Sequence, residues 1–243
     1  MKHLHFFSLG LLCTLLFALS SCGGSDTPNT DGTAGTDSPI DSAANSAFNE
    51  GMALSMEAVQ AMEANDLERA QVLNAQAVEL FTSVLDTDPN NLLATSAIGH
   101  SYYLMREFDL GIEWYQKAIA IDSSLAVNHL EYGLCLMNKG KVDLGRQAIN
   151  TALQLDPSEE TRDQAVYSLY NIAVMAWDFG SGYEQNGEPE RGHGFKTFGI
   201  HVLLTANQYH PMQVDVVQKL QEYSQALGDT AIANYVAREV LQS

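Results

Sequence analysis

The sequence predicts an all-α fold built from stacked helical hairpins, and three observations predict it. Residues recur at a fixed step of 34: Gly99 with Gly133, Gly111 with Gly145, Ala118 with Ala152, Asp122 with Asp156, and Asp109-Leu110 with Asp143-Leu144. A period of this size marks an array of helix–turn–helix units. Within each unit, small, bulky and small residues stand at i, i+4 and i+7, as Gly111, Tyr115, Ala118 and again as Gly145, Ile149, Ala152. That spacing lines one face of a helix. Each unit then closes on a helix stop, Asp122-Ser123 or Asp156-Pro157.

In chain order, residues 1–21 read as a secretory signal. Lys2 precedes an apolar stretch of about 14 residues, Phe6 to Leu19, short of the roughly 20 that a membrane span needs. Leu19-Ser20-Ser21-Cys22 resembles a bacterial lipobox. The resemblance implies cleavage before Cys22 and lipid on that cysteine; the alternative is an ordinary signal with an incidental cysteine. Several acyl chains on one residue anchor a protein stably. Gly23 follows, where an aspartate commonly holds lipoproteins at the inner membrane, so the expected address is the bacterial envelope at the outer membrane. Residues 22–45 are Gly, Ser, Thr, Asp, Asn and Ala with almost no large apolar side chain, a composition that cannot offset the entropy of ordering. They read as a disordered tether with a reach of roughly 25–30 Å.

The helical-repeat domain is expected over 46–243. Stepping back 34 from Gly111, Tyr115 and Ala118 gives Ala77, Phe81 and Val84, so a first pair is placed at Ala47–Ala64 and Leu67–Asp86 around an Asn65-Asp66 turn, with a lengthened second helix. The two clean units are Leu92–Leu125 and Ala126–Glu159, with Gly99 or Gly133 in the first helix and Arg106 or Gly140 at the turn. A mid-helix glycine costs about 1 kcal/mol, and the usual compensation is a neighbouring helix packed close against it. Beyond Pro157 the step becomes 54: Gly145, Ile149 and Ala152 map onto Gly199, Leu203 and Ala206, and Gly140 onto Gly194. The excess is read as a loop inserted at about 178–193, rich in Gly and Glu. A further 34 gives Gly228, Ala233, Ala237 and Val240, so about five helix pairs are expected.

Composition narrows the function. The formal charge is −18, which disfavours nucleic acid and direct docking on an anionic lipid surface. Of three cysteines, Cys13 leaves with the signal and Cys22 takes lipid, leaving Cys135 as a small buried residue with no disulfide partner. No catalytic constellation is expected. Gly99-His100-Ser101-Tyr102-Tyr103 lacks the glycine two residues after the serine that a nucleophile elbow needs. Gly192-His193-Gly194-Phe195-Lys196-Thr197 breaks the Gly-Lys-Ser/Thr of a phosphate loop at Phe195. The histidines show no metal-ligand spacing, His193 and His201 being the one pair near a common segment. No metal, cofactor or enzymatic role is therefore assigned.

The pattern from Leu92 to Pro157 resembles the tetratricopeptide repeat, in its small–bulky–small spacing and its closing Asp-Pro. The resemblance implies helix pairs stacked as a right-handed superhelix with a concave, peptide-binding groove. By analogy the groove is lined by Leu93, Ser96, His100, Tyr103 and Leu104 in one repeat, and by Val127, Leu130, Leu134, Met137 and Asn138 in the next. This mostly apolar set suits an amphipathic helix or extended segment of a protein partner, unless the chain's own first helix pair or inserted segment fills the groove. The expected function is a lipid-anchored, non-catalytic scaffold that binds protein. The alternatives are a dedicated subunit of an outer-membrane assembly, pilus or uptake machine, and an enzyme with its site on the 178–193 insertion.

Overall fold

The structure, a computed structural model, describes residues 39–240; the signal, the lipobox cysteine and most of the tether lie outside the described residues. Every regular element described is an α-helix: α1 Pro39–Glu63, α2 Leu67–Thr87, α3 Leu92–Leu104, α4 Phe108–Ile121, α5 Ala126–Asn138, α6 Val142–Leu155, α7 Glu159–Gln185, α8 Pro189–Tyr209, α9 Val214–Leu227 and α10 Thr230–Glu239. They form five consecutive pairs, the all-α hairpin architecture that the 34-residue step predicts. The chain divides into two compact units after Asp122. The first holds α1 to α4 and the second α5 to α10.

One local device builds the first four hairpins. Two small residues stand 12 positions apart, one on each helix of the pair, and a residue of positive φ turns the chain seven positions after the first. The triplets are Ala58/Asn65/Ala70, Gly99/Arg106/Gly111, Gly133/Gly140/Gly145 and Gly180/Gly187/Gly192, with turn φ values of 59°, 62°, 73° and 83°. Positive φ suits glycine and, less readily, asparagine; Arg106 adopts it because the helices on either side hold the turn. A Cβ on Gly133 would lie 2.8 Å from the Gly145 carbonyl, and one on Gly145 would lie 2.9 Å from the Gly133 carbonyl. The helix backbones meet there with no room for a methyl group.

In the first unit Gly51 sits under the Phe81 ring, as Gly99 sits under Tyr115. Gly51 and Phe81 are 30 residues apart, Gly99 and Tyr115 only 16. The extra length is about two helical turns in each arm. Sequence placed it in the second helix alone; α1 has 25 residues and α2 has 21, so both arms carry it. The first helix also begins at Pro39, inside the stretch expected to be tether. The core of this unit is Met52, Ala77, Phe81, Val84, Ala94, Ala97 and Ile98. Ala77, Phe81 and Val84 are buried as the stepped-back pattern requires.

In the second unit the expected loop at 178–193 is a correction. Residues 178–185 complete α7, the turn is Asn186–Glu188, and α8 starts at Pro189. The turn glycine is Gly187, and Gly194 lies inside α8. The 54-residue step nevertheless places the buried face of α8: Gly199, Leu203 and Ala206 are all buried. Helix ends follow the sequence stops. Asp122 and Asp156 are C-caps, and the Asp156 carboxylate also accepts from the Ser158 N–H and the Thr161 hydroxyl. Asp66, Asn91, Ser158 and Asp229 cap helix N-termini with their side chains. Gly228 ends α9 in the left-handed region at φ 73°.

Candidate protein-binding faces

The residues expected to line a groove lie on the first helices of two hairpins, α3 in the first unit and α5 in the second. On α3, Leu93 is half-buried beside a small cavity of about 190 Å³ bounded also by Phe48 and Val84. His100 is 2% exposed, and its ring lies 6.4 Å from that of Tyr103, which in turn sits 6.1 Å from Phe108. Leu104 packs on Val59 of α1, with Met62 and Tyr103 around them. The extended first hairpin thus covers the end of this face. Ser96 is buried as well.

Of the predicted residues on α5, Val127 and Asn138 keep partial exposure; Leu130, Leu134 and Met137 have none. Met137 is buried because it fills the α5–α6 seam, its Cγ lying 2.8 Å from where a Cβ on Gly145 would stand. Of the ten residues predicted to meet a partner, Leu93 and Tyr103 in the first unit and Val127 and Asn138 in the second retain surface to do so. The other six are packed into the chain. Apolar periodicity picks out a face but does not say whether that face is already covered.

The chemical candidates fall inside helices. Ser101 is buried in α3 and donates to the Ala97 carbonyl at 3.0 Å, a helix-internal bond. His193 and His201 stand on α8, two turns apart, not on a glycine-rich loop. Burial pushes the Cys135 thiol far up, and the neighbouring Glu131 carboxylate adds to the effect. A thiol held neutral is a poor nucleophile. The Thr161 hydroxyl bond, with help from Ser158, keeps the Asp156 carboxyl below its usual range against a smaller effect of burial. That carboxylate is occupied in closing α6 and opening α7.

The two long arms of the second unit carry an aromatic cluster that periodicity did not single out. Trp177 of α7 stacks face to face on Tyr223 of α9, with centroids 3.9 Å apart and planes 8° apart. Lys196 of α8 lies over Trp177 at 4.9 Å and pairs with Glu184, while Lys219 lies over Tyr223 at 5.2 Å. Trp177 directly precedes the stretch, about 178–193, that sequence read as a loop. Its extension therefore serves as a ledge on which α9 rests.

Comparison with known proteins gives a consistent picture of the repeat. Residues 96–125 match the tetratricopeptide repeat model. The chain is 29% identical over 105 residues to Tetratricopeptide repeat protein 8 of Caenorhabditis elegans, covering 43% of this chain and 20% of that protein. It is 33% identical over 100 residues to Protein CTR9 homolog of Arabidopsis thaliana, covering 41% and 9%. The chain thus spans a fifth or less of the length of these relatives. Among solved structures it is similar to two of MamA, at 19% and 16% identity with TM-scores of 0.42 and 0.45, covering 73% and 82% of this chain and 92% and 91% of those. It is also similar to the P58(IPK) TPR domain, at 20% identity and a TM-score of 0.36, covering 76% and 60%.

Proposed function

We propose that this chain is a non-catalytic protein-binding scaffold, anchored by lipid on Cys22 in a bacterial envelope, at the outer membrane. The observation that carries the binding role is the tetratricopeptide repeat at 96–125, set in consecutive hairpins that reuse one seam and turn. Such arrays act by presenting surface to another chain, with no bond made or broken. The candidate catalytic side chains are engaged in helix-internal or capping bonds, or buried, which supports the same reading. An enzyme built on a 178–193 loop loses its premise, because that segment is a helical hairpin tip.

The anchor rests on the order signal, lipobox, polar segment in the sequence. Sixteen residues separate Cys22 from the first helix at Pro39. A coil of that length reaches roughly 20–24 Å, which holds the helical domain close to the bilayer surface. Partner contact falls to Leu93 and Tyr103 in the first unit and, separately, to Val127 and Asn138 in the second, the predicted residues that keep accessible surface.

Two measurements test this. Feeding cells a clickable fatty acid is expected to label the wild type and leave Cys22→Ser unlabelled; an unlabelled wild type sinks the anchor. A photo-cross-linking amino acid at Tyr103 or Val127 is expected to give discrete protein adducts in intact envelopes, those from Tyr103 being lost in Leu93→Glu on the same helix. No adduct from either position would count against partner binding by these helices.

A further inference from the structure

We infer that the second unit carries a separate docking groove, on the outer face of α8, and that its occupant is an amphipathic helix of another protein with cationic residues flanking its apolar face. The inference rests on the scaffold reading and names a surface which that reading does not use.

The groove follows from unequal helix lengths. Towards the hairpin tip, α8 is two turns longer than α6: its seam glycine Gly199 lies 10 residues into the helix, against three for Gly145 in α6. Only the first turn of α6, at Val142 and Arg146, reaches the groove, and α10 borders it through Ile232 and Tyr235. Between them lies a stripe of α8 that includes Phe198, His201 and Leu204, in a cavity of about 760 Å³. The stripe runs from Gly194 to Gln208 at helical spacing, which is about 20 Å of helix. A trough that long, floored by one helix and walled by two others, matches a helix of about four turns laid along it.

Charge decides among occupants. The two formal charges lining the groove, Asp143 and Arg146, pair with each other at 2.9 Å, so its floor is neutral and apolar side chains enter without stranding a charge. The second unit, 123–243, carries 14 Asp or Glu against eight Lys or Arg, a formal −6. A second copy would bring another acidic unit into contact, whereas a cationic helix is drawn in by the field of this unit. The polar segment 23–38, acidic and almost without large apolar residues, has nothing with which to fill an apolar trough.

The test uses the chain from Gly23 onward, which contains every described residue. The probe is a fluorescent 14-residue leucine–lysine peptide with leucines at i, i+3, i+4 and i+7, read by anisotropy. The wild type is expected to bind it, while the matching leucine–glutamate peptide is not bound. Phe198→Glu and Ile232→Glu are each expected to weaken binding by about tenfold or more. Leu110→Glu, at an exposed leucine of the first unit, is expected to leave it unchanged. Should a variant lose its helical circular dichroism, a photo-cross-linker at Gln208 of the otherwise native chain gives the second measurement, with adducts expected on the leucine–lysine peptide. The inference is overturned if folded Phe198→Glu and Ile232→Glu bind as the wild type does, if both peptides bind equally, or if Gln208 gives no adduct. Envelope adducts from Tyr103 or Val127 that persist in Phe198→Glu would leave the scaffold reading standing while those results removed the groove.

Discussion

The hairpins α5/α6 and α7/α8 use one seam at two lengths. In the short pair, Gly133 and Gly145 bring two backbones into contact once. In the long pair the contact occurs twice, at Ala173 against Gly199 and again one heptad nearer the tip at Gly180 against Gly192. A Cβ on Gly199 would lie 2.9 Å from the Ala173 carbonyl, and one on Gly180 would lie 2.6 Å from the Gly192 carbonyl. Seven residues is nearly two helical turns, so adding seven to each arm returns the same face to the seam. A hairpin of this kind can lengthen without changing its packing rule, provided the length comes in matched sevens. The added turns then stand beyond the shorter neighbour, and surface is created there.

The largest expected effect tests whether the seam is backbone contact or side-chain contact. Gly133→Ala places its methyl 2.8 Å from the Gly145 carbonyl and 3.1 Å from the Ile149 nitrogen, atoms that move only if the helices part. A loss of about 3 kcal/mol is expected, read as a lowered denaturation midpoint. For Gly99→Ala, at the equivalent position of the first unit, the nearest atoms are those of the Tyr115 ring at 3.0–3.1 Å. That ring can shift by a few tenths of an ångström, and the helix gains about 1 kcal/mol of propensity. The change is expected to fall within about 1 kcal/mol of the wild type. Equal losses at the two sites would show that the two seams do not differ as described.

Gly180→Ala asks whether the second contact of the long pair is as costly as the single contact of the short one. The clash is at least as tight, with the Gly192 carbonyl at 2.6 Å and Lys196 Cγ at 2.8 Å. It lies seven residues nearer the tip than the Ala173–Gly199 contact, so the arms can splay there without disturbing Gly199 or Leu203. A smaller loss of about 2 kcal/mol is expected, seen chiefly as faster amide exchange around the Gly187 turn. If global stability fell as far as in Gly133→Ala, the tip would be part of the cooperative core.

A smaller effect concerns the tie between the two hairpins. The Tyr209 hydroxyl of α8 donates to the Arg146 carbonyl of α6 at 3.2 Å. Burial pushes its pKa up to about 12, against an opposing pull from the Arg146 charge. The folded state therefore holds the proton more tightly than the unfolded chain, whose tyrosines titrate near 10. The contribution is complete below about pH 10 and is lost as pH rises towards 12. Tyr209→Phe is expected to cost about 1 kcal/mol at neutral pH. The gap between variant and wild type should narrow in alkaline solution; a constant gap from pH 8 to 12 would mean that the hydroxyl does not titrate in its folded setting.

The same comparison shows what was legible in the sequence. The 34-residue step gave α3 to α6, because glycine, bulky residue and stop recur there without interruption. It missed the tip of α7/α8 because the recurrence changes step within one hairpin. Gly133, Gly140 and Gly145 return as Gly180, Gly187 and Gly192 at a step of 47, whereas Gly145 returns as Gly199 at 54. The first three glycines were the available signal, and read for their spacing they mark a seam and a turn; read for composition they suggest a loop. In α1 the partner of Phe81 was missed for a like reason, since Gly51 lies 14 positions earlier than the step predicts. The binding face was least legible. Leu130, Leu134 and Met137 have the apolar character of a groove lining and of a core alike, and burial depends on neighbours that a one-helix pattern does not contain.

A final glycine separates those that the seam requires from one that it does not. Gly182 lies in α7 between Gly180 and the turn, and a Cβ there would have nothing within 4 Å. Its backbone is helical, so alanine fits without strain. The unfolded chain meanwhile loses freedom when glycine is replaced. Gly182→Ala is therefore expected to stabilise the hairpin by roughly 0.5–1 kcal/mol, opposite in sign to Gly180→Ala two residues away. The two variants make the same substitution in the same helix, seven and five residues before the Gly187 turn, on different faces. Measured side by side in amide exchange at Tyr183 and Glu184, they isolate the direction in which a methyl group points. A destabilising Gly182→Ala would mean that the tip tolerates no added bulk on either face, and the seam would no longer be the reason Gly180 is glycine.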